Sequence, residues 1–260
     1  MSSYQTILYE ATDGIARLTL NRPEAMNGMT PDMLRETYEA LLAAAADSSL
    51  RVLVITGAGR AFCPGADLKV MSGMKFGGYS PENLLRFRVP LLLHEMPAVS
   101  IAAINGACAG AGMGWACGAD IRVAARSANF NTAFINVAVA GDMGLPWTLP
   151  RLVGAAKARE LSFLADKFSA EEAQRIGLVA RVWDDERFHA ELDAMVVRLA
   201  TRSPTALLAL KAHYLAAERM GLGDYIAMET EKHSRIRQLD DTVEAFRAFV
   251  EKRPPKFTGR

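Results

Sequence analysis

The chain has 260 residues, half of them apolar, which is enough for one large hydrophobic core or a core with an appendage. Its 30 basic and 29 acidic residues leave a net charge of +1, too weak a field to gather nucleic acid or an anionic membrane surface. The longest apolar runs stop well short of a membrane span, and residues 1–10 lack the basic start and apolar stretch of an export signal. Cys63, Cys108, Cys117 and the four histidines show no metal-ligand spacing, so a cytoplasmic protein with reduced thiols and no metal is expected.

IARLTL, residues 15–20, alternates apolar with small or polar side chains and predicts a half-buried strand, which the polar turn residues of NRPEAMNGM end. Thr30 is placed to cap a helix with Pro31 at its first position and Asp32 near its positive end, running on through LLAAAA. Its polar side offers Arg35 against Asp32, Glu36 and Glu39, without the lysine row of an RNA-binding helix. RVLVITG is a β-branched run suited to a buried strand, and AFCPGADL, residues 61–68, follows it with small residues around Gly65. Residues 71–90 have the poorest pattern and predict a loop, of the kind that shapes ligand pockets, giving way to a helix at Pro81.

AVSIAAI, residues 98–104, is a second apolar run, and it too empties into small residues, NGACAGAGMGWACGAD. At both places backbone can approach a ligand closely and leave its N–H groups unobstructed. Residues 109–112 lead into a buried helix at 113–117, whose first N–H groups and dipole favour negative charge. The two turns are therefore candidate donors to one developing oxyanion. Short strands follow at residues 121–124 and 129–131, then helices at 154–165 and 170–177, the second capped by Ser169, and a returning strand LVARV. Beyond Asp185 the pattern is helical throughout: residues 188–201, 205–220, 224 to about 239, and a last helix capped by Asp240 or Asp241. That change draws one internal boundary near Asp184, between residues 1–184 and 185–260.

In order along the chain, LTLNRPEAMNGM, VLVITGAGRAFCPGADL, AVSIAAINGACAGAGMGWACGADIRVAA, GLPWTLPRLVG, SAEEAQRIGLVARV and FVEKRPPKF resemble the crotonase (enoyl-CoA hydratase/isomerase) superfamily over essentially its whole length. The resemblance implies an α/β fold, a crotonase-like spiral of ββα units that holds an acyl-CoA site. It also implies a C-terminal helical region that makes a homotrimer, often paired into a hexamer. Substrates would be acyl-CoA thioesters, with coenzyme A part of the substrate and no separate cofactor. By position, Ala66 and Ala111 match the residues whose backbone N–H groups hold the thioester carbonyl oxygen. Gly110 is the alternative second donor, because Ala111 stands where many relatives have glycine. Ala66, Asp67, Leu68 and Lys69 match a stretch lining the coenzyme and pantetheine path, and Arg22 and Ala25 match residues near the CoA head. Lys256 and Phe257 match a tail that in relatives reaches a bound coenzyme, often a neighbouring subunit's.

Two departures bear on the chemistry. The glutamates with which hydratases of this family orient and deprotonate water fall here on Gly114 and Phe134, and neither can move a proton. Asp142 instead matches the acid/base of dienoyl-CoA isomerases and of the ring-epoxide isomerase of aerobic phenylacetate breakdown, to whose type FNTAFINVAVAGDMGLPWTLPRLVG is most similar. The expected function is an acyl-CoA double-bond isomerase, with an enolate held by the Ala66 and Ala111 N–H groups and Asp142 as proton shuttle. The alternatives are an enoyl-CoA hydratase and, in another class, a catalytically silent CoA-thioester-binding protein. No cationic side chain flanks Asp142 in sequence, so a raised pKa is expected, and Glu95 and Asp120 should matter much less. Phe134, Phe130, Met113, Trp115 and Met143 are expected to line an apolar acyl pocket.

Overall fold

Asp13 and Gly14 both take positive φ, 52° and 76°, the two-residue reversal whose twist suits a hairpin. It folds β1 (Ile7–Thr12) antiparallel onto β2 (Ile15–Leu20). The computed structural model describes residues 4–73 and 81–259, so the 74–80 part of the expected loop lies outside the described residues. From β3 onward one move repeats: a long strand enters a first sheet, a three-residue strand enters a second, and helix follows. Thus β3 (Val52–Gly57) precedes β4 (Ala61–Cys63), β5 (Val99–Ile104) precedes β6 (Ala107–Ala109), and β7 (Ile121–Ala125) precedes β8 (Asn129–Asn131). With β9 (Phe168–Ser169) and β10 (Arg181–Trp183), the first sheet reads β1-β2-β3-β5-β7-β10 and the second β4-β6-β8-β9. Only β1/β2 and β8/β9 are antiparallel among these described pairs. This is the expected mixed α/β spiral of ββα units.

The helices are α1 (Pro31–Ala46), α2 (Leu68–Met71), α3 (Pro81–Arg86), α4 (Val89–Glu95), α5 (Ala111–Gly118), α6 (Leu145–Val153), α7 (Ala155–Leu164), α8 (Ala170–Arg175), α9 (Phe188–Ala200), α10 (Pro204–Ala217), α11 (Leu222–Ile236) and α12 (Asp240–Val250). The apolar runs of β3 and β5 have a physical cause, since both faces of the first sheet are covered. Leu53 and Ile55 join the main core with Leu18, Leu20, Phe62 and Trp115, while Val52, Val54, Ile101 and Val123 pack on Phe188, Leu192 and Val196 of α9. All eight residues of α5 are buried, which is why its sequence is apolar on every side.

Local signals hold where a cap can be read. Thr30 accepts the Met33 N–H at 3.2 Å and Ser169 that of Glu172 at 3.2 Å. Elsewhere the chain differs from its pattern. Helix α5 starts at Ala111, two residues earlier than expected, α6 forms in a stretch whose pattern predicts no element, and α10 starts at Pro204 with Ser203 as its cap. Asp240 and Asp241 lie within α12 rather than capping it; the Asp241 carboxylate instead accepts from Ser203 Oγ at 2.9 Å and the Thr258 N–H at 2.7 Å, pinning the tail. Lys211, buried on α10, donates to Leu93 O at 3.2 Å, Ala98 O at 2.8 Å and Asp120 Oδ2 at 2.7 Å, which fastens the C-terminal helices to the core. Among the described residues no helix is long and apolar enough to cross a membrane, and no group of three or more His, Cys, Asp or Glu residues could hold a metal ion.

Candidate active site

The two small-residue turns lie against each other. Gly65 takes φ +99°, and a Cβ placed on it would lie 3.2 Å from Ala109 O and 3.3 Å from Ala111 N, so the absent side chain is what lets the turns approach. Backbone pairing with Met29 holds the first turn from both sides: the Met29 N–H donates to Gly65 O at 2.8 Å and Asp67 N–H to Met29 O at 2.9 Å. Between those bonds the Ala66 N–H has no acceptor among the described residues. In the second turn Gly110 takes φ +49° and spends its N–H on Asn131 O at 3.0 Å, so it is not the free donor that the sequence left open. Ala111 is the first residue of α5, and its N–H is likewise without an acceptor among the described residues. Free N–H groups at a helix start favour a negative oxygen.

Phe134 links these donors to the aspartate. It opens a short 3-10 turn, Phe134–Val137, and its ring lies 3.9 Å from where a Cβ on Gly110 would stand and 3.9 Å from where one on Gly141 would stand. The next residue is Asp142, followed by Met143 and Gly144 at φ +49° and +68°, which turn the chain into α6. Gly114, where hydratases of the resembled family carry a glutamate, is filled from outside: a Cβ there would meet Met143 Cβ at 2.6 Å and Met143 O at 3.0 Å. The Asp142–Met143 turn thus occupies the space in which a longer side chain at 114 would sit. Asp142 Oδ1 is buried and accepts no hydrogen bond among the described residues. Burial alone pushes its carboxyl up to about 6 from the ordinary 3.8, because the anion loses water and gains no partner.

A cavity of about 430 Å³ adjoins Phe134, walled mainly by Ile135, Val139, Leu145, Leu149 and Phe163. Of the five residues expected to line an apolar pocket, only Phe134 does so. Met113, Trp115, Phe130 and Met143 are core residues, and Phe130 stacks on Phe168 with ring centres 5.5 Å apart. Arg22, matched by resemblance to a residue near the CoA head, has its guanidinium engaged within the chain: it donates to Gly28 O at 2.6 Å and Asp67 Oδ2 at 3.0 Å. Burial tends to raise Asp67, but the Arg22 hydrogen bond, the Val70 N–H and the Arg22 charge together hold it below the usual range. This pair braces the turn beside Ala66, where Leu68 and Lys69 are exposed and Ala25 is half-buried. Lys256 and Phe257 lie on the tail, whose described bonds run to Glu244, Asp241 and Thr205 on the C-terminal helices. Two supporting residues escaped the sequence reading. Asn27 accepts the Arg22 N–H at 2.9 Å and donates to Ala61 O at 2.8 Å, and Asn131 accepts from Gly110 through its carbonyl while its side chain donates to Ala165 O at 2.9 Å.

Residues 10–260 match the model of the enoyl-CoA hydratase/isomerase family. The chain is 40% identical to a Rhodobacter capsulatus protein named probable enoyl-CoA hydratase, covering 99% of this chain and 100% of that one. It is 36% identical to the 1,2-epoxyphenylacetyl-CoA isomerase of Escherichia coli, covering 98% of each. The crystal structure of an enoyl-CoA hydratase from Bacillus anthracis superposes with a TM-score of 0.90 at 30% identity, covering 98% of this chain and 100% of that one.

Proposed function

The chain belongs to the enoyl-CoA hydratase/isomerase family and is an enzyme of it, and from that premise we propose that it moves the double bond of an unsaturated acyl-CoA through a thioester enolate. The observation that carries this reading is the contrast between positions: Gly114 and Phe134 hold no acid or base, while beside them stands Asp142, half-buried, with a buried Oδ1 that accepts no hydrogen bond among the described residues. Asp142 removes a proton from the carbon next to the thioester carbonyl. The charge that reaches the carbonyl oxygen is met by the Ala66 and Ala111 N–H groups, and one such donor is worth about 10²- to 10³-fold in rate. The protonated carboxyl then returns the proton two carbons further along the acyl chain. One carboxylate suffices for this exchange, and a pKa raised by burial to about 6 suits a group that must both take and give a proton near neutrality.

Adding water across the bond needs a second group to place that water, and the Phe134 ring is apolar. Hydration remains the second reading because similar proteins carry hydratase names. Coenzyme A enters with the substrate, along Ala25 and the stretch Ala66 to Lys69, so no separate cofactor is called for. Trimers, alone or in pairs, would cover the apolar side chains that α12 leaves exposed, Phe249 at 85% and Val250 at 79%. A paired assay with 3-enoyl-CoA and 2-enoyl-CoA substrates tests the reading: isomerisation without hydration supports it, and hydration as the faster reaction overturns it.

A further inference from the structure

Cys63 ends β4 with its side chain fully buried, and no step of the proposed chemistry uses its thiol. The Gly65 N–H donates to Cys63 Sγ at 3.5 Å, inside the turn that presents the Ala66 N–H. Gly65 O and the Asp67 N–H are held by Met29 and the Asp67 carboxylate by Arg22, and the sulfur holds the Gly65 N–H that stands directly before Ala66. Cys63 also meets the second donor. A Cβ on Gly112 would lie 2.2 Å from Cys63 O and 2.8 Å from Cys63 Cβ, which seats the first turn of α5 directly on this residue.

We infer that Cys63 is a positioning residue of the oxyanion site, fixing the Ala66 N–H through Gly65 and setting its spacing from the Ala111 N–H through Gly112. The inference rests on the reading that these two N–H groups hold the thioester oxygen. Burial pushes the Cys63 thiol up to about 12, against the lowering effect of the Gly65 hydrogen bond, so the sulfur is a neutral acceptor and not a nucleophile. Without it the buried Gly65 N–H has no partner, and a buried amide in that state drives its turn to another conformation. A small displacement of a donor is enough to matter, because the hydrogen bond to a developing oxyanion is effective only at the geometry of the charged oxygen.

The test is difference infrared spectroscopy of hexanoyl-CoA labelled with carbon-13 at the carbonyl, a saturated probe with no double bond to move, together with steady-state kinetics on a 3-enoyl-CoA. Bound to the wild-type enzyme, the carbonyl band should shift to lower frequency; no shift at all would remove the N–H reading itself. Cys63→Ala should lose part of the shift and lower kcat by about 10-fold or more with KM within a few-fold, and Cys63→Ser, which keeps an acceptor, should restore most of both. Cys117→Ala, which removes an equally buried thiol from the far end of α5, should lower Tm and leave the band and kcat in place. A wild-type shift that Cys63→Ala retains in full, with wild-type kcat, would overturn the role of Cys63 and leave the donor reading standing. Should Cys63→Ala fail to fold, the serine variant decides alone: a band and kcat displaced as far as those of misplaced donors, despite the retained acceptor, count against the inference.

Discussion

Replacing Gly114 by alanine sets a methyl group against the turn that carries Asp142. The added Cβ would stand 2.6 Å from Met143 Cβ, about 0.8 Å inside the 3.4 Å at which ordinary contact begins. Helix α5 cannot yield, because Gly112 is pressed on Cys63, a Cβ at Gly118 would stand 2.8 Å from Pro90, and every residue of the helix is buried. Met143 cannot rotate out of the way either, since its Cβ is fixed to a backbone already at positive φ. The turn must move, and Asp142 is the adjoining residue. Alanine gains up to about 1 kcal/mol of helix propensity over glycine, whereas overpacking a tight core costs about 1–3 kcal/mol, so a net loss of stability is expected. A misplacement near 1 Å at a reacting group costs up to about 10²-fold in rate. Gly114→Ala should therefore lower kcat for isomerisation by roughly 10- to 100-fold while KM changes little, because the Ala66 and Ala111 donors are untouched. Stopped-flow absorbance of the conjugated product, with a thermal melt alongside, reads both effects. A variant that melts with the wild type and keeps kcat within a factor of about two refutes the seating of the Asp142 turn against Gly114.

Burial raises Asp142 from 3.8 to about 6 in the folded chain, so the folded state prefers the protonated form. The stabilisation linked to that proton is complete below about pH 4 and is lost as pH rises through about 6. Asp142→Asn should therefore gain stability relative to the wild type between those limits, by about 1–2 kcal/mol after allowing for the solvent that still reaches this half-buried carboxyl; equal denaturant midpoints at both ends of the range would contradict the raised pKa. In the same window the wild-type kcat/KM for isomerisation should climb with pH, because the base must begin deprotonated. Crotonyl-CoA hydration should be feeble, and a turnover number of about 10 per second or more would restore the hydratase reading. Lys211→Met should destabilise the fold by about 1–3 kcal/mol, since it removes the shared donor of Leu93 O, Ala98 O and Asp120, of which Leu93 O and Asp120 keep Ser100; urea midpoints that match the wild type would show the tie to be unimportant.

The parts of this fold that were legible in the sequence are those with one local cause. Thr30 and Ser169 announce their helices by capping them, and the unbroken apolar runs of β3 and β5 follow from a sheet covered on both faces. Strand β1 was missed because its residues after Ile7 are largely exposed and carry little alternation, although the Asp13–Gly14 pair marked the hairpin. Helix α6 was hidden by Pro146 and Pro150, which a short helix tolerates when the first falls in its opening turn. At the candidate site, the small residues around Gly65 and Gly110 pointed to exposed backbone donors, but which N–H is free depends on partners remote in sequence: Asn131 takes that of Gly110, and Met29 fixes the strand beside Ala66. The engagement of Arg22 was not legible for the same reason, since Asp67, its partner, is 45 residues away. The apolar side chains near the donors could not be sorted by sequence into pocket and core, because Phe130 and Trp115 are as apolar as Phe134 and differ only in which neighbours cover them.

The proton shuttle is tested most directly by deuterium wash-in from heavy water into a 3-enoyl-CoA, comparing the wild type with Asp142→Asn. The substitution keeps the size of the side chain and removes the exchangeable carboxyl proton. Wild-type enzyme should wash deuterium into the carbon beside the thioester carbonyl as it isomerises, at a rate set by how often the carboxyl proton exchanges before it is returned, and the asparagine variant should do neither while binding acyl-CoA within a few-fold of the wild type. Exchange at the wild-type rate in the variant would mean that another residue is the base.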